Sequence, residues 1–265
     1  TVSFWDTQTL TVNSDMVVLA IPTQALREVL QKIQFLKQDV VVINTSKGIE
    51  KVSHKLPFQI VQELLPETIS YGSLIGPSFA QEVIADMPTL VNIGIDKRVD
   101  RASLEVFQTP VFHTRIVSGF EALELAGAFK NIYAIACGMA DGLGFGMNTR
   151  IQLMMLAMDE FYDLCRVLGY TVSKDAMPGT IGDLLLSCSS TESRNYTLGK
   201  LLIEYSVEEC LVRINSTVEG IETVQSVPYF TTISKLPLAQ FVQESLRPNG
   251  TDVKTLFKAF ITSSM

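Results

Sequence analysis

Hydrophobic positions along this chain follow two rhythms. Before about residue 118 they gather in short apolar runs, each followed by a stretch with one apolar face. Residues 16–21 (MVVLAI), stopped by Pro22, suit a strand buried on both faces. Residues 23–33 (TQALREVLQKI) place Leu26, Val29, Leu30 and Ile33 on one stripe, with Thr23 positioned to cap that helix. The alternation continues with a strand over 39–44, a helix over 58–65 and a strand over 72–75. A helix over 80–85 capped by Ser78 follows, then strands over 89–95 and 111–117. Such alternation predicts a mostly parallel sheet covered on both faces.

From Gly119 onward no strand pattern remains. Apolar segments with helical spacing cover 120–139, 149–168, 183–187, 195–205, 218–227 and 235–247. The expected organisation is α/β over residues 1–118 followed by an all-helical part over 119–265. Residues 121–150 (EALELAGAFKNIYAIACGMADGLGFGMNTR) anchor the second part, because the first half of this stretch is apolar on nearly every helical face. Into that helix the sequence sets Lys130 and Asn131 side by side. A buried lysine loses hydration, and its pKa falls toward the range where it can trade protons. The alternative is a lysine whose stem lies on apolar neighbours while its head reaches water. Glu121, Glu124 and Lys130 interrupt the apolar run before it is long enough to span a bilayer.

Composition narrows the function classes. The chain has 265 residues, 47% hydrophobic and 18% charged, with mean hydropathy +0.26; this is a folded chain and not a disordered one. A net charge of −7, without a basic run, argues against nucleic acid as a partner. A phosphorylated small molecule needs only two or three local cations and stays open. Cys137, Cys165, Cys188 and Cys210 lack CxxC spacing and read as buried thiols of a reducing compartment. His54 and His113 have no metal-ligand spacing, so no metal site is expected. The terminal Ser263-Ser264-Met265 lacks the basic residue of a peroxisomal address.

In an open α/β sheet, ligands bind at the carboxyl ends of the strands. Lys47-Gly48 follows a strand there, and the glycine allows an unusual backbone angle. Gly76-Pro77-Ser78 precedes a helix start. In the helical part, Gly182-Asp183 is followed by Ser193-Arg194-Asn195, and a guanidinium beside an amide suits a bidentate hold on phosphate. Each cluster alone also reads as a cap, a turn or a surface ion pair.

Together they form an ordered series: PTQALR at 22–27, SKGIE at 46–50, GPSFAQE at 76–82, GAFKN at 127–131, DGLGFGMNTR at 141–150, GDLLLSC at 182–188, SRN at 193–195 and VEGIET at 218–223. The series resembles NAD(P)-dependent glycerol-3-phosphate dehydrogenases of the bacterial and organellar type, over residues 15–246. The resemblance implies a Rossmann-like dinucleotide-binding domain followed by a helical substrate domain, with NAD or NADP as cofactor. It implies the interconversion of dihydroxyacetone phosphate and sn-glycerol 3-phosphate, in the service of glycerophospholipid synthesis.

By the same resemblance Lys130 is the general acid/base and Asp183 the carboxylate that holds it. Substrate contacts fall to Lys47, Gly76, Ser78, Asn131, Ser193, Arg194 and Asn195. Cofactor contacts fall to Lys47, Ala80, Arg194, Thr217 and Glu219; Thr217 occupies a position that is usually apolar in the family. A homodimer is what the resemblance suggests; a cytoplasmic location, with an organelle left open, is the expectation from the reduced cysteines and the lack of a recognised address.

One departure stands out. Members of the family open with a strand and a GxGxxG-type turn for the pyrophosphate, and nothing here fills that role. Gly142-Leu143-Gly144-Phe145-Gly146 follows a helix, not a strand. The sequence reading is therefore a piece of a longer chain or a natural remnant, expected to bind little cofactor by itself and to leave the edge of the 16–21 strand open. Two other readings stand beside the enzyme. One is a non-catalytic remnant that keeps phosphate binding. The other is a different two-domain hydroxyacid dehydrogenase, disfavoured because SRN after GDL speaks for a phosphate-bearing substrate.

Overall fold

The computed structural model describes residues 14–33, 39–247 and 252–264. Residues 1–13 of the α/β part, and Met265 of the terminal tripeptide, lie outside that description. Five strands form one sheet in the order β1 (Met16–Leu19), β2 (Val41–Asn44), β3 (Ser70–Ile75), β4 (Thr89–Ile95), β5 (Phe112–Ser118). The pairing is parallel except between β3 and β4, which run antiparallel with Gly72 opposite Ile95. The mostly parallel sheet is thus present, with one reversal that the hydrophobic pattern had not announced. Among the described residues β1 is an edge strand, and its Val18 is 46% exposed.

Strand alternation explains the layering. Val40, Val42 and Tyr71 join the main core, packed with α1 (Thr23–Lys32), α2 (Pro57–Leu64) and the helical part. Ile43, Ile93 and Ile95 pack on the opposite face with Val99 and Leu104, the latter in a short 3-10 turn at Arg101–Phe107. A short helix, α3 (Ala80–Ile84), lies between β3 and β4.

Two expected caps are corrected. The residue before α1 is Pro22, and Thr23 is its first helical residue. The Thr23 side chain is turned inward, where its hydroxyl finds no partner and faces Gly48. Ser78 does not cap α3; Phe79 stands at that position, and the Ser78 hydroxyl donates to the Gly76 carbonyl at 3.1 Å.

The helical part is built round α4 (Glu121–Gly142), in which every residue from Ala122 to Ala140 is buried. Around it lie α5 (Met147–Leu168), α6 (Asp183–Ser189), α7 (Arg194–Leu201), α8 (Val207–Ile214), α9 (Glu219–Val224), α10 (Val227–Phe230), α11 (Pro237–Ser245) and α12 (Val253–Ser264). Helices α8 and α12 had not been read from the sequence. Helices α4 and α7 touch backbone to backbone. A Cβ on Gly138 would come within 2.0 Å of the Tyr196 carbonyl oxygen, and one on Gly199 within 2.0 Å of the Ile135 carbonyl oxygen. Only glycine permits that approach, and it brings the start of α7 beside Lys130 and Asn131. All four cysteines are buried free thiols. Among the described residues no helix is long and apolar enough to cross a membrane.

Candidate active site

Lys130 projects from α4 and is 7% exposed. Its ammonium donates to Asp183 Oδ1 at 2.5 Å, while Lys47 donates to Asp183 Oδ2 at 2.9 Å. One buried carboxylate therefore stands between two ammoniums. Asp183 is supplied by the first turn of α6, immediately after a π turn at Pro178–Gly182. Lys47 comes from the turn that leaves β2, where Gly48 takes φ +133, an angle that side-chain-bearing residues rarely adopt.

The electrostatics of the trio follow from burial and charge. Burial lowers the Lys130 pKa, the Asp183 charge resists, and the Lys47 cation adds to the fall; the value comes to about 8. Burial also disfavours the Lys47 ammonium, but attraction and hydrogen bonding to Asp183 more than offset it, and its pKa ends above the ordinary lysine value. Asp183, which burial alone would neutralise, is held below the usual carboxylate range by the two cations. Lys130 is thus the member of the trio whose proton is most easily exchanged near neutral pH.

A second network adjoins the first. Gly220 N–H donates to Asn195 Oδ1 at 2.9 Å, Asn195 Nδ2 to Asn131 Oδ1 at 3.0 Å, and Asn131 Nδ2 to Glu219 Oε2 at 3.2 Å. This relay ties the first turns of α7 and α9 to α4. Ser193 caps α7 by accepting from Tyr196 N–H at 3.4 Å. Arg194 is exposed, and its guanidinium donates to Ser216 at 2.7 Å.

These groups share a cleft of about 450 Å³. Of the residues singled out in the sequence, Lys47, Ser78, Ala80, Lys130, Asn131, Ser193, Arg194, Asn195 and Glu219 line it. Three others do not. Asp183 lies behind the two lysines it binds. Gly76 is packed against β4, where a Cβ would meet the Val91 backbone at 2.6 Å. Thr217 is exposed outside the lining. The lining also includes Gln81, Ser187 and Glu192, which the sequence reading passed over. Ser187 could have been found, since it follows Asp183 by one helical turn and so shares its face. Among the described residues no cluster of His, Cys, Asp or Glu could hold a metal ion.

Comparison with known proteins identifies the family. Residues 120–257 match the family described as NAD-dependent glycerol-3-phosphate dehydrogenase C-terminus, and residues 3–100 match the corresponding N-terminus. A protein named glycerol-3-phosphate dehydrogenase (NAD(P)+) from Desulfitobacterium hafniense is 38% identical over 215 residues, covering 80% of this chain and 61% of that one. One of the same name from Nitratidesulfovibrio vulgaris strain Hildenborough is 33% identical over 258 residues, 95% of this chain and 78% of that one. A solved glycerol-3-phosphate dehydrogenase from Coxiella burnetii superposes with TM-score 0.84 at 25% identity, over 93% of this chain and 77% of that one. The first curated relatives are longer, and the chain spans 61% and 63% of their lengths. Both of its parts match, so this chain belongs to the NAD-dependent glycerol-3-phosphate dehydrogenase family.

Proposed function

We propose that this chain carries the proton-transfer and substrate-holding machinery of an oxidoreductase that interconverts dihydroxyacetone phosphate and sn-glycerol 3-phosphate. The observation that carries the reading is the buried Lys130–Asp183 pair, opening on a cleft that Arg194 and Asn195 also line. A cleft of about 450 Å³ is within the range of small-molecule sites and fits a triose phosphate beside a nicotinamide ring. Lys47, Ala80, Arg194 and Glu219 would hold the nicotinamide end of NAD or NADP. When bound, that cofactor supplies the hydride for reduction and accepts it in oxidation.

Everything else falls to the chain itself. In reduction, Lys130 donates its proton to the oxygen on C2 as that carbon gains the hydride; in oxidation, it removes the proton of the C2 hydroxyl. Asp183 aims the amine and keeps it from turning into bulk water. Arg194, Ser193 and the second amide hydrogen of Asn195 hold the phosphate. Lys47 supplies charge to the substrate oxygen and crowds Lys130, which favours proton release. The α/β part up to Ser118 would carry the cofactor side and the helices after it the substrate side. As a homodimer in the cytoplasm, such an enzyme would supply glycerol 3-phosphate for glycerophospholipid synthesis.

The protein, expressed with any residues its gene places before Thr1, should oxidise NADH or NADPH on addition of dihydroxyacetone phosphate, read from the near-ultraviolet absorbance of the reduced cofactor. Lys130→Ala should abolish turnover while calorimetry shows substrate binding largely kept. Absence of wild-type turnover with both cofactors removes the enzyme reading.

A further inference from the structure

One buried carboxylate takes no part in the scheme above. Glu124 lies on α4 upstream of Lys130 and is 1% exposed. Its Oε1 accepts from the Tyr71 hydroxyl at 2.5 Å, from the Ser73 hydroxyl, and from Asn44 Nδ2 at 3.3 Å. Its Oε2 accepts from the Phe58 N–H at 2.8 Å. Strands β2 and β3 and helix α2 are thus tied to α4 at a single side chain. Burial pushes the Glu124 carboxyl up to about 7, against the pull of these donors.

Asn44 is the member of this cluster that leads to the cleft. Its Nδ2 also donates to the Ser46 carbonyl at 3.0 Å, and its Oδ1 accepts from the Ser46 N–H at 2.9 Å. The Asn44 side chain therefore spans the turn that leaves β2. Ser46 closes the turn from the other side, donating through its hydroxyl to the Ile21 carbonyl at 2.5 Å. Lys47 comes next. Its stem passes Gly127 of α4, where a Cβ would lie 3.5 Å from Lys47 Cγ, and its ammonium reaches Asp183. A path of bonds runs from Glu124 through Asn44 and Ser46 to Lys47, then through Asp183 to Lys130. Both ends of that path stand on the same helix.

We propose that Glu124 is a positioning residue for the reaction assigned above: through Asn44 it fixes the Lys47 turn against α4 and sets how closely the second ammonium approaches Lys130. Its kinetic consequence rests on the dehydrogenase reading; its geometry does not. The charged and titratable groups facing Lys130 are Lys47 from the turn after β2 and Asp183 and Cys188 from α6, with Glu219 of α9 bearing on Lys47. Lys47 in place adds to burial in lowering the Lys130 pKa. Loosening Lys47 removes that repulsion and leaves Asp183 to attract Lys130 alone. Cutting the Glu124–Asn44 link therefore makes Lys130 harder to deprotonate. A side chain that merely held the fold together would lower the thermal midpoint and leave the Lys130 titration where it was.

The test compares Glu124→Ala, Asn44→Ala and Tyr71→Phe in the full chain. Alanine at 124 removes both acceptor oxygens, so the Asn44 and Phe58 bonds are lost together. Tyr71→Phe removes a bond to Glu124 while keeping both partners of the Glu124–Asn44 and Asn44–Ser46 bonds, and is the control for general loosening. Lys130 is titrated by NMR of isotope-labelled lysine, its signal assigned by Lys130→Arg, so the readout needs no turnover. The expected result is a Lys130 pKa raised by about 0.5 to 1 unit in Glu124→Ala and in Asn44→Ala, and by less than about 0.2 in Tyr71→Phe. In turnover assays the alkaline limb of dihydroxyacetone phosphate reduction should move upward by the same amount. An unmoved Lys130 titration in either folded variant, or an equal shift in Tyr71→Phe, overturns the inference. Should Glu124→Ala fail to fold, Asn44→Ala decides alone. The raised titration in a protein that shows no wild-type turnover would sustain the positioning role and remove only the dehydrogenase reading.

Discussion

The ammonium of Lys130 meets Asp183 at 2.5 Å, although the two residues are 53 positions apart in the chain. Neither is in an environment that tolerates a lone charge, since Lys130 is 7% exposed and Asp183 1%. Each is kept ionisable by the other, and the pair is shared with Lys47.

Asp183→Asn takes away the charge that resists the fall of the Lys130 pKa and leaves burial and Lys47 unopposed. The Lys130 pKa should drop below about 8. Reduction needs the ammonium form, so its rate should decline from a lower pH than in the wild type, with kcat down about 100-fold or more at neutral pH. A pH profile of kcat in the reductive direction checks both the sign and the size.

Arg194→Ala should act on the phosphate and not on the carbonyl. We expect KM for dihydroxyacetone phosphate to rise about 100-fold, equivalent to about 2.7 kcal/mol. At saturating cofactor, so that the contact of Arg194 with the nicotinamide end is not limiting, unphosphorylated dihydroxyacetone, a poor substrate for both proteins, should be used equally well by variant and wild type. Steady-state kinetics with the two substrates separate phosphate recognition from a general loss of the site.

Gly199→Ala should destabilise by about 3 kcal/mol or more, because its Cβ would fall 2.0 Å from the Ile135 carbonyl oxygen and force α7 off α4. Gly146→Ala is the matched control: nothing lies within 4 Å of its Cβ, and its φ of −77 is ordinary. That substitution should change stability by no more than about 0.5 kcal/mol. Denaturant unfolding of the two variants gives the comparison.

Stability should also depend on pH through Glu160, which accepts from the N–H groups of Leu238 and Ala239 at the start of α11. Burial raises its pKa from 4.5 to about 7, so the folded state holds a proton that the unfolded state releases earlier. The stabilisation is complete below about 4.5 and is lost as pH rises through about 7. Over that window this one group contributes a slope of at most about 1.4 kcal/mol per pH unit, and Glu124 adds to it in the same direction. Unfolding free energy measured across the window should fall with pH in the wild type and less steeply in Glu160→Gln.

Much of this was legible in the sequence, for identifiable reasons. β4 was read with its observed bounds, 89–95, because an apolar run between turns has few alternatives. The interior character of α4 followed from its lack of a polar face. The caps at Thr23 and Ser78 were misread because short hydroxyl side chains serve equally well for packing and for turns. Thr23 packs on the Gly48 turn and Ser78 bonds back to Gly76. The reversal of β4 was invisible because an apolar run carries no direction. The exposed faces of α8, including Val212 at 80%, weaken the helical rhythm there. Most of the residues that line the cleft were singled out as clusters, but their wiring was not. No local pattern announces that Lys47 reaches across 136 positions to the second oxygen of Asp183, or that Glu124 gathers donors from two strands and a helix.

The unbroken burial of α4 from Ala122 to Ala140 has a consequence for motion. Amide protons along that helix can exchange with solvent only when the whole domain opens, so they should be among the slowest in the molecule. The amine proposed to hand over the proton is therefore mounted on a helix expected to be among the stillest of the described residues, and any closing of the cleft falls to the turns and helix ends that surround it.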